Sequence, residues 1–185
     1  LFQQKRVGIH KSHFMILKFR TMRTDTPKDM PTHLLQNPEQ YITKVGKFLR
    51  KTKINELPQL INIFIGQMSV IGPRPQAKRH YDLYSQEVKV AIDTVPPGLS
   101  GIGSIVFRDE EDMLNAVEDR DFFHDSIIAP YKGTLEIWFT KHRTVATYFK
   151  LIFLTVLAVL NPQSNKWKTS FRDLPAIPAE LEKYI

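Results

Sequence analysis

Lys53-Ile54-Asn55-Glu56-Leu57-Pro58-Gln59-Leu60 opens the most informative part of this chain, and Gly66-Gln67-Met68-Ser69-Val70-Ile71-Gly72-Pro73-Arg74-Pro75 closes it. Between them, four apolar residues recur at the spacing of one helical face: Leu57, Leu60, Ile61 and Phe64. Asn55 suits the N-cap of such a helix, and Gly66 ends it. The free backbone N–H groups at its start favour an anion such as a diphosphate. We therefore predict a helix from Asn55 to Gly66 with an anion site at its beginning.

The rest of the chain predicts an α/β fold with a small sheet and several helices, some of them amphipathic. The predicted elements are a strand at 14–22, a cationic amphipathic segment at 41–53, a helix at 81–92, a strand at 103–107 and a long helical region at 133–160. The residues of that last region expected to face inward are Leu135, Trp138, Phe139, Phe149, Ile152 and Phe153. The apolar run at 151–160 is too short to cross a bilayer, which takes roughly 20 apolar residues. It suits a core helix or one lying in the headgroup region.

Composition limits the class of protein. The chain has 185 residues with 42% hydrophobic content, enough for one ordinary core. It has no cysteine, which excludes disulfides and thiolate metal sites, and the six histidines lack metal-ligand spacing. The formal net charge of +7 favours an anionic partner, such as a nucleotide, acidic lipid headgroups or nucleic acid. Charge alone does not choose among these partners.

Four motifs in the same order resemble the bacterial sugar transferases, which are monotopic phosphoglycosyl transferases. The two stretches quoted above are similar to the family's Asp-Glu-Leu-Pro-Gln, Gly-Asp-Met-Ser and Gly-Pro-Arg-Pro core, with Asn55 in place of the first acid. Lys18-Phe19-Arg20-Thr21-Met22 matches another family motif. The run 97–108 resembles Pro-Gly-x-Thr-Gly-x-x-Gln-Val-x-Gly-Arg, except that Ser104 replaces glutamine and Phe107 replaces glycine.

The resemblance implies an enzyme that transfers a sugar 1-phosphate from a UDP-sugar to undecaprenyl phosphate and releases UMP. In the family this reaction initiates exopolysaccharide, capsule, O-antigen or glycoconjugate synthesis. The resemblance also implies membrane lipids as partners, at the bacterial inner (cytoplasmic) membrane with the catalytic domain on the cytoplasmic face. It does not identify the transferred sugar, and it leaves open whether the protein forms a homo-oligomer.

The same resemblance predicts how the chain is organised. Residues 1–162 correspond to the catalytic domain, and residues 163–185, which are polar and rich in proline, are expected to form an extended C-terminal tail. A re-entrant membrane helix is expected to precede Leu1, because the opening residues match a point already inside the family pattern. The amphipathic helices are expected to lie on the membrane surface.

Asn55 stands where the family has the aspartate taken to attack the diphosphate and form a covalent intermediate. An amide is not a competent nucleophile at phosphorus, whereas an ionised carboxylate is one. Three interpretations follow: the acceptor phosphate attacks directly, another carboxylate attacks, or the chain is inactive. Asparagine is also an ordinary N-cap residue, which is compatible with all three. Asp109 is the candidate replacement ligand or nucleophile. It belongs to an acidic run that could equally be the solvated start of a helix.

Glu56 stands where the family has the glutamate that helps to hold Mg²⁺. A carboxylate is a hard oxygen ligand, and Mg²⁺ usually takes only one or two of them when phosphates complete its shell. The alternative is an acid placed favourably in a first helical turn.

Basic residues in the motifs are candidates for binding the substrate's phosphates: Lys18, Arg20, Arg50, Arg74 and Arg108. Alternation along a strand would place Lys18 and Arg20 on one face, although both could simply be exposed. Arg50 could likewise lie on the solvated face of a basic helix. Arg74 lies between two prolines, so its turn is stiff whether it binds phosphate or is purely structural.

Two other functions compete with the transferase. A catalytically inactive, membrane-associated relative would keep the fold and act as a binding or assembly partner in glycan biosynthesis. A nucleic-acid-binding module would rest on charge and scattered aromatic residues alone, and no motif supports it. We therefore predict no nucleic acid among the partners.

Overall fold

The computed structural model describes residues 1–26, 38–161 and 163–185. At the N-terminal end, strands β1 (Phe2–Val7) and β2 (His13–Lys18) form an antiparallel hairpin. Alternate residues of β2 turn inward, and Phe14 and Ile16 pack against Met68 in a small core of their own. The strand predicted at 14–22 is therefore present but ends at Lys18.

A second pair of strands, β3 (Ser69–Ile71) and β4 (Gly98–Ser100), is parallel. The predicted small sheet is thus two separate two-stranded sheets. Gly98, the first residue of β4, has to be glycine, since a Cβ atom there would lie 2.1 Å from the backbone nitrogen of Gly72. This close backbone approach fixes the Pro73-Arg74 turn, which follows directly.

Helices make up most of the described chain, as expected for the α/β class. They are α1 (Lys44–Lys51), α2 (Gln59–Phe64), α3 (Lys78–Leu83), α4 (Gln86–Ile92), α5 (Ile102–Val106), α6 (Glu110–Asn115), α7 (Arg120–Phe123), α8 (Ala129–Lys141), α9 (Val145–Leu160) and α10 (Lys166–Ser170). A π-helical turn at His124–Ile128 leads into α8. In the described ranges, no helix combines the length and the apolar character needed to cross a membrane.

The main core lies where α5, α8 and α9 meet. Leu135 of α8 and Leu151 of α9 are fully buried there. Trp167 of α10 and Leu181 also belong to this core, so residues after 163 pack against the rest of the chain. The boundary predicted at residue 162 remains a prediction.

The strand predicted at 103–107 is wrong, because these residues form α5. The β-branched residues that suggested a strand are buried by packing on α8, and tertiary contacts override the local preference. Gly103 lets α5 approach α8, since a Cβ atom there would lie 2.7 Å from a carboxylate oxygen of Glu136.

The two long helices predicted from periodicity are each divided by a cap. The region 133–160 separates into α8 and α9, where the Thr144 hydroxyl accepts from the backbone N–H of Thr147 at 3.1 Å and begins a new helix. Ser85 divides 81–92 into α3 and α4 in the same way. Of the residues expected to face inward, Phe149 and Phe153 are exposed, whereas Leu135, Trp138 and Phe139 are buried and Ile152 is partly buried.

The helix predicted from Asn55 also differs from expectation, because Asn55 is not its N-cap. Lys53 adopts a left-handed conformation, with φ 59°, and Ile54–Glu56 form a 3₁₀ turn before α2 begins at Gln59. The burial of α2 is inverted relative to an ordinary amphipathic helix: Gln59 and Asn62 are buried. Leu60, Ile61 and Phe64 face outward, with Phe64 91% exposed, whereas Ile63 packs against the core of Phe14, Ile16 and Met68.

Candidate functional site

The buried amide of Asn62 fixes the position of the site. Its Oδ1 accepts a hydrogen bond from the backbone N–H of Leu17 at 3.0 Å, and its Nδ2 donates to the carbonyl of Met15 at 2.9 Å. Seven residues earlier, the carbonyl of Asn55 accepts from the N–H of Phe19 at 2.9 Å. These bonds tie the end of β2 to the 3₁₀ turn before α2, so that Lys18 lies beside Glu56.

Glu56 is the centre of a charged cluster. Lys18 Nζ donates to Glu56 Oε1 at 2.9 Å, and Arg74 Nη2 lies 3.4 Å from the same oxygen. The Lys18 and Glu56 side chains are each 17% exposed, whereas Arg74 is 42% exposed. The fold therefore brings together three residues predicted from separate motifs.

The cluster strongly perturbs both partners of its central ion pair. Burial opposes ionisation of Glu56, but the positive charges of Arg74 and Lys18 outweigh it and lower the pKa of Glu56 to about 2. Burial lowers the pKa of Lys18 to about 8, despite the attraction of Glu56. The pair is therefore favourable for the carboxylate but not for the ammonium group. Strongly perturbed pKa values of this kind cluster at functional sites, which makes this cluster the candidate site.

Two further cations lie within electrostatic range of Glu56 that the sequence analysis did not select. Burial, and then the charge of Arg74, lower the pKa of Arg6 on β1 to about 10. Arg6 Nε is buried and has no hydrogen-bond partner among the described residues. Burial also lowers the pKa of Lys53. In the sequence Arg6 resembles an ordinary exposed strand residue, and the left-handed conformation of Lys53 has no sequence signal.

A cavity of about 290 Å³ adjoins the cluster. Its lining includes Glu56 and Arg74, and Arg108 joins them from the end of α5. The other lining residues are Thr52, Lys53, Ile54, Leu57, Leu99, Ser100, Ser104, Ile105, Thr155, Ala158 and Val159. Arg108 is thus the fourth predicted site residue to lie at this place.

The remaining predicted residues lie outside the lining of this cavity. Arg50 Nε donates to the hydroxyl of Thr21 at 3.0 Å, and Arg20 is exposed beyond the end of β2. Asp109 is exposed at the N-terminal end of α6, where it interacts electrostatically with Lys53. Asn55 is half-buried, and its Oδ1 has no hydrogen-bond partner among the described residues.

Behind the Arg74 turn lies a second carboxylate, Glu136 of α8. It is 3% exposed, and its Oε1 lies 3.5 Å from the backbone nitrogen of Arg74. Burial raises the pKa of Glu136 to about 7, although the Arg74 N–H and the charge of Lys132 oppose the rise. Glu136 therefore supports the turn from below, whereas Glu56 holds the Arg74 side chain.

The donor set for a metal ion is small. Within the described ranges, no group of three or more histidine, aspartate or glutamate side chains is suited to a metal. The site offers the Glu56 carboxylate, and the amide oxygen of the preceding residue, Asn55, is buried and unpaired outside the cavity lining. Such a set fits Mg²⁺ that arrives with a diphosphate and keeps several waters, rather than a metal enclosed by protein ligands.

The arrangement can hold a polyanion. Four cationic side chains surround one carboxylate, and phosphate oxygens are the natural ligands for the excess positive charge. These four are Arg6, Lys18, Lys53 and Arg74.

Comparison with known proteins gives a consistent result. A family model described as "Bacterial sugar transferase" matches residues 1–162. The chain is 35% identical over 159 residues to the UDP-glucose:undecaprenyl-phosphate glucose-1-phosphate transferase of Escherichia coli (strain K12), covering 84% of this chain and 32% of that protein. It is 34% identical over 154 residues to the UDP-N-acetylgalactosamine-undecaprenyl-phosphate N-acetylgalactosaminephosphotransferase of Aeromonas hydrophila, covering 80% of this chain and 36% of that protein. The chain thus spans about a third of the length of these relatives.

Proposed function

We propose that this chain, which belongs to the bacterial sugar transferase family, transfers a sugar 1-phosphate from a UDP-sugar to undecaprenyl phosphate and releases UMP. The named relatives act on UDP-glucose or on UDP-N-acetylgalactosamine, so the family leaves the sugar open. We further propose that the reaction begins the synthesis of a surface glycan.

The observation that carries the proposal is the convergence on Glu56 of cations from distant parts of the chain. Arg6 and Lys18 come from the hairpin, Lys53 from the turn before α2, and Arg74 from the turn after β3. Because burial lowers the pKa of Lys18, the ammonium group gains when a phosphate enters and adds negative charge. A diphosphate is therefore the ligand that best satisfies this cluster.

The acceptor phosphate is the nucleophile that we propose. Its oxygen attacks the sugar-bearing phosphorus of the UDP-sugar, the bond from that phosphorus to the bridging oxygen breaks, and UMP leaves with the bridging oxygen and its electron pair. Asn55 cannot attack, because an amide has no anionic oxygen. Arg74 and Lys18 are placed to stabilise the charge that develops on the phosphoryl oxygens.

Magnesium is the cofactor that we propose, held by Glu56 with the amide oxygen of Asn55. The ion would supply positive charge beside the diphosphate and its leaving group. Arg108 extends the phosphate site into the cavity. Arg20, Arg50 and Asp109 lie outside the cavity lining. They remain candidates for contacts with the substrate, which would form only if substrate binding brings them closer.

We propose association with a membrane surface, and the apolar residues that face outward support this proposal. The largest of them on α2 and α9 are Leu60, Ile61, Phe64, Phe149, Phe153 and Leu160. Several large apolar side chains exposed on the same helices mark an interaction surface. With the net charge of +7, it fits the headgroup region of an anionic membrane, and we propose the cytoplasmic face of the bacterial inner membrane.

UMP release by the complete protein in a membrane mimetic tests the proposal. The assay contains undecaprenyl phosphate, Mg²⁺ and a panel of UDP-sugars. Glu56→Gln is compared with Glu87→Gln, a matched change at an exposed glutamate of α4. We expect release with at least one donor, its loss in Glu56→Gln and its retention in Glu87→Gln.

Asn55→Asp separates the transferase from an inactive relative. Release by the unmodified protein, without an aspartate at position 55, supports an active transferase. Release only after Asn55→Asp would refute the proposed activity and support an assembly partner. No release by either protein, with any donor, would also refute it.

A further inference from the structure

The cavity beside Glu56 has two different walls. One wall is charged and comes from the turn before α2 and from the Arg74 turn, whereas the wall from α9 is apolar and includes Ala158 and Val159. Its volume of about 290 Å³ is at the lower end of the range for small-molecule sites. That volume suits a head group with its first carbons better than a whole nucleotide sugar.

The cavity is continuous with the outward-facing apolar residues of the molecule. Leu57 and Val159 line it and are also 50% and 44% exposed. Their neighbours Leu60 on α2 and Leu160 on α9 are exposed as well. An apolar chain could therefore extend from the cavity along Leu57 and Val159 onto this surface.

Two polar atoms in this lining lack partners. Ser104 Oγ and Arg108 Nη1 are buried and make no hydrogen bond to any described residue. By contrast, the nearby Thr155 and Ser100 hydroxyls bond to each other at 2.8 Å. Unsatisfied buried donors are rare in proteins and call for an explanation such as a ligand. Both a hydroxyl and a guanidinium can donate to a phosphate oxygen.

We propose that Ser104 and Arg108 form the subsite for the monoester phosphate of the lipid acceptor, with its first prenyl carbons against the α9 wall. The inference rests on the proposed function, whose donor diphosphate occupies the adjoining cluster of Lys18, Glu56 and Arg74. Lys18 Nζ and Arg74 Nη2 each direct a hydrogen bond to Glu56, whereas Ser104 Oγ and Arg108 Nη1 have no partner among the described residues. Ser104 stands where the family pattern has glutamine, so its small side chain leaves room for this head group.

Farnesyl phosphate is the probe for a direct binding measurement on the complete protein in detergent, without turnover. Ser104→Ala is compared with Ser126→Ala, a change at an exposed serine. We expect Ser104→Ala to weaken farnesyl phosphate binding about tenfold and to leave UDP binding unchanged, because one hydrogen bond to a charged group is lost. Its thermal midpoint should stay the same or rise, since the change removes an unsatisfied buried hydroxyl. Ser126→Ala should alter neither affinity.

Ala158→Phe tests the apolar wall by filling it. We expect weaker farnesyl phosphate binding with little change in the weak binding of inorganic phosphate. If the unmodified protein binds farnesyl phosphate no more tightly than inorganic phosphate, the proposed contact of the prenyl carbons with the α9 wall is overturned. Loss of UDP affinity in Ser104→Ala, with farnesyl phosphate affinity intact, would assign the subsite to the donor and overturn the proposal.

Turnover distinguishes this inference from the proposed function. If UMP is released but Ser104→Ala leaves the KM for undecaprenyl phosphate unchanged, the subsite is wrong and the transferase stands. If farnesyl phosphate binds in a Ser104-dependent manner but UMP is never released, the subsite stands and the proposed activity is wrong.

Discussion

Glu56→Gln and Lys18→Met are expected to have very different effects on stability, although they break the same ion pair. The lowering of the Glu56 pKa from 4.5 to about 2 corresponds to about 3 kcal/mol of stability at neutral pH. The lowering of the Lys18 pKa from 10.5 to about 8 corresponds to a cost of similar size. The carboxylate therefore contributes stability, whereas the buried ammonium group removes it.

Glu56→Gln should reduce the free energy of unfolding at pH 7 by about 3 kcal/mol, because Lys18 is left buried without its partner. Lys18→Met should change it by no more than about 1 kcal/mol, because the penalty of burying the ammonium group disappears with the pair. Lys78→Met, in an exposed pair with Asp82, is the control and should have an effect below about 0.5 kcal/mol.

The pH dependence has a defined sign. Because the pKa of Glu56 is lowered on folding, its contribution is fully present above pH 4.5 and is lost as the pH falls toward 2. The difference between the unmodified protein and Glu56→Gln should therefore shrink over that interval. The Lys18 penalty should disappear as the pH rises from 8 to 10.5, which stabilises the unmodified protein relative to Lys18→Met.

Urea unfolding at pH 3, 7 and 9, followed by circular dichroism, measures these differences. Equal destabilisation by Glu56→Gln and Lys18→Met at pH 7 would refute the reasoning, since the pair would then be an ordinary stabilising salt bridge. Both variants should also lose the proposed transferase activity whatever their stability, since each removes a residue of the proposed phosphate site.

Three further predictions concern packing and the surface. Gly103→Ala should cost about 1 kcal/mol in thermal unfolding, because the added methyl group meets the Glu136 carboxylate at 2.7 Å and the helix preference of alanine offsets part of that cost; an unchanged midpoint would show that Glu136 moves freely. Asn62→Leu should cost about 3 kcal/mol, measured in the same way, because it leaves the Leu17 N–H and Met15 carbonyl unsatisfied; a neutral effect would mean that another group replaces the amide. Phe64→Ser should lower partitioning onto anionic vesicles about tenfold without changing stability. Val90→Ser, at an exposed residue of α4, is the control and should leave partitioning unchanged. Equal partitioning of Phe64→Ser and the unmodified protein would exclude α2 from the membrane surface.

The sequence was sufficient for the family and the class of fold, and four of the predicted site residues lie close together in the structure. Motifs far apart in the chain supplied Lys18, Glu56, Arg74 and Arg108, and the structure places all four at one location. Arg6 and Lys53 were missed for different reasons. The position of Arg6 depends on the pairing of β1 with β2, and that of Lys53 on one left-handed residue.

Local patterns failed where tertiary contacts decide the structure. The residues 103–107 favour a strand by composition, yet they form a helix because a glycine allows close packing on α8. Periodicity correctly found the helix at α2, but periodicity does not say which face is buried. Gln59 and Asn62 turn inward because the Asn62 amide satisfies backbone groups near the end of β2.

The inverted burial of α2 has a consequence for protein engineering. A redesign that follows the usual rule would place apolar residues at Gln59 and Asn62 and polar ones at Leu60 and Phe64. It would yield a sequence with a better hydrophobic pattern but without the hydrogen bonds that hold Lys18 beside Glu56. A redesign for solubility should therefore change only outward residues such as Leu60 and Phe64. Gln59 and Asn62 should be kept in every variant.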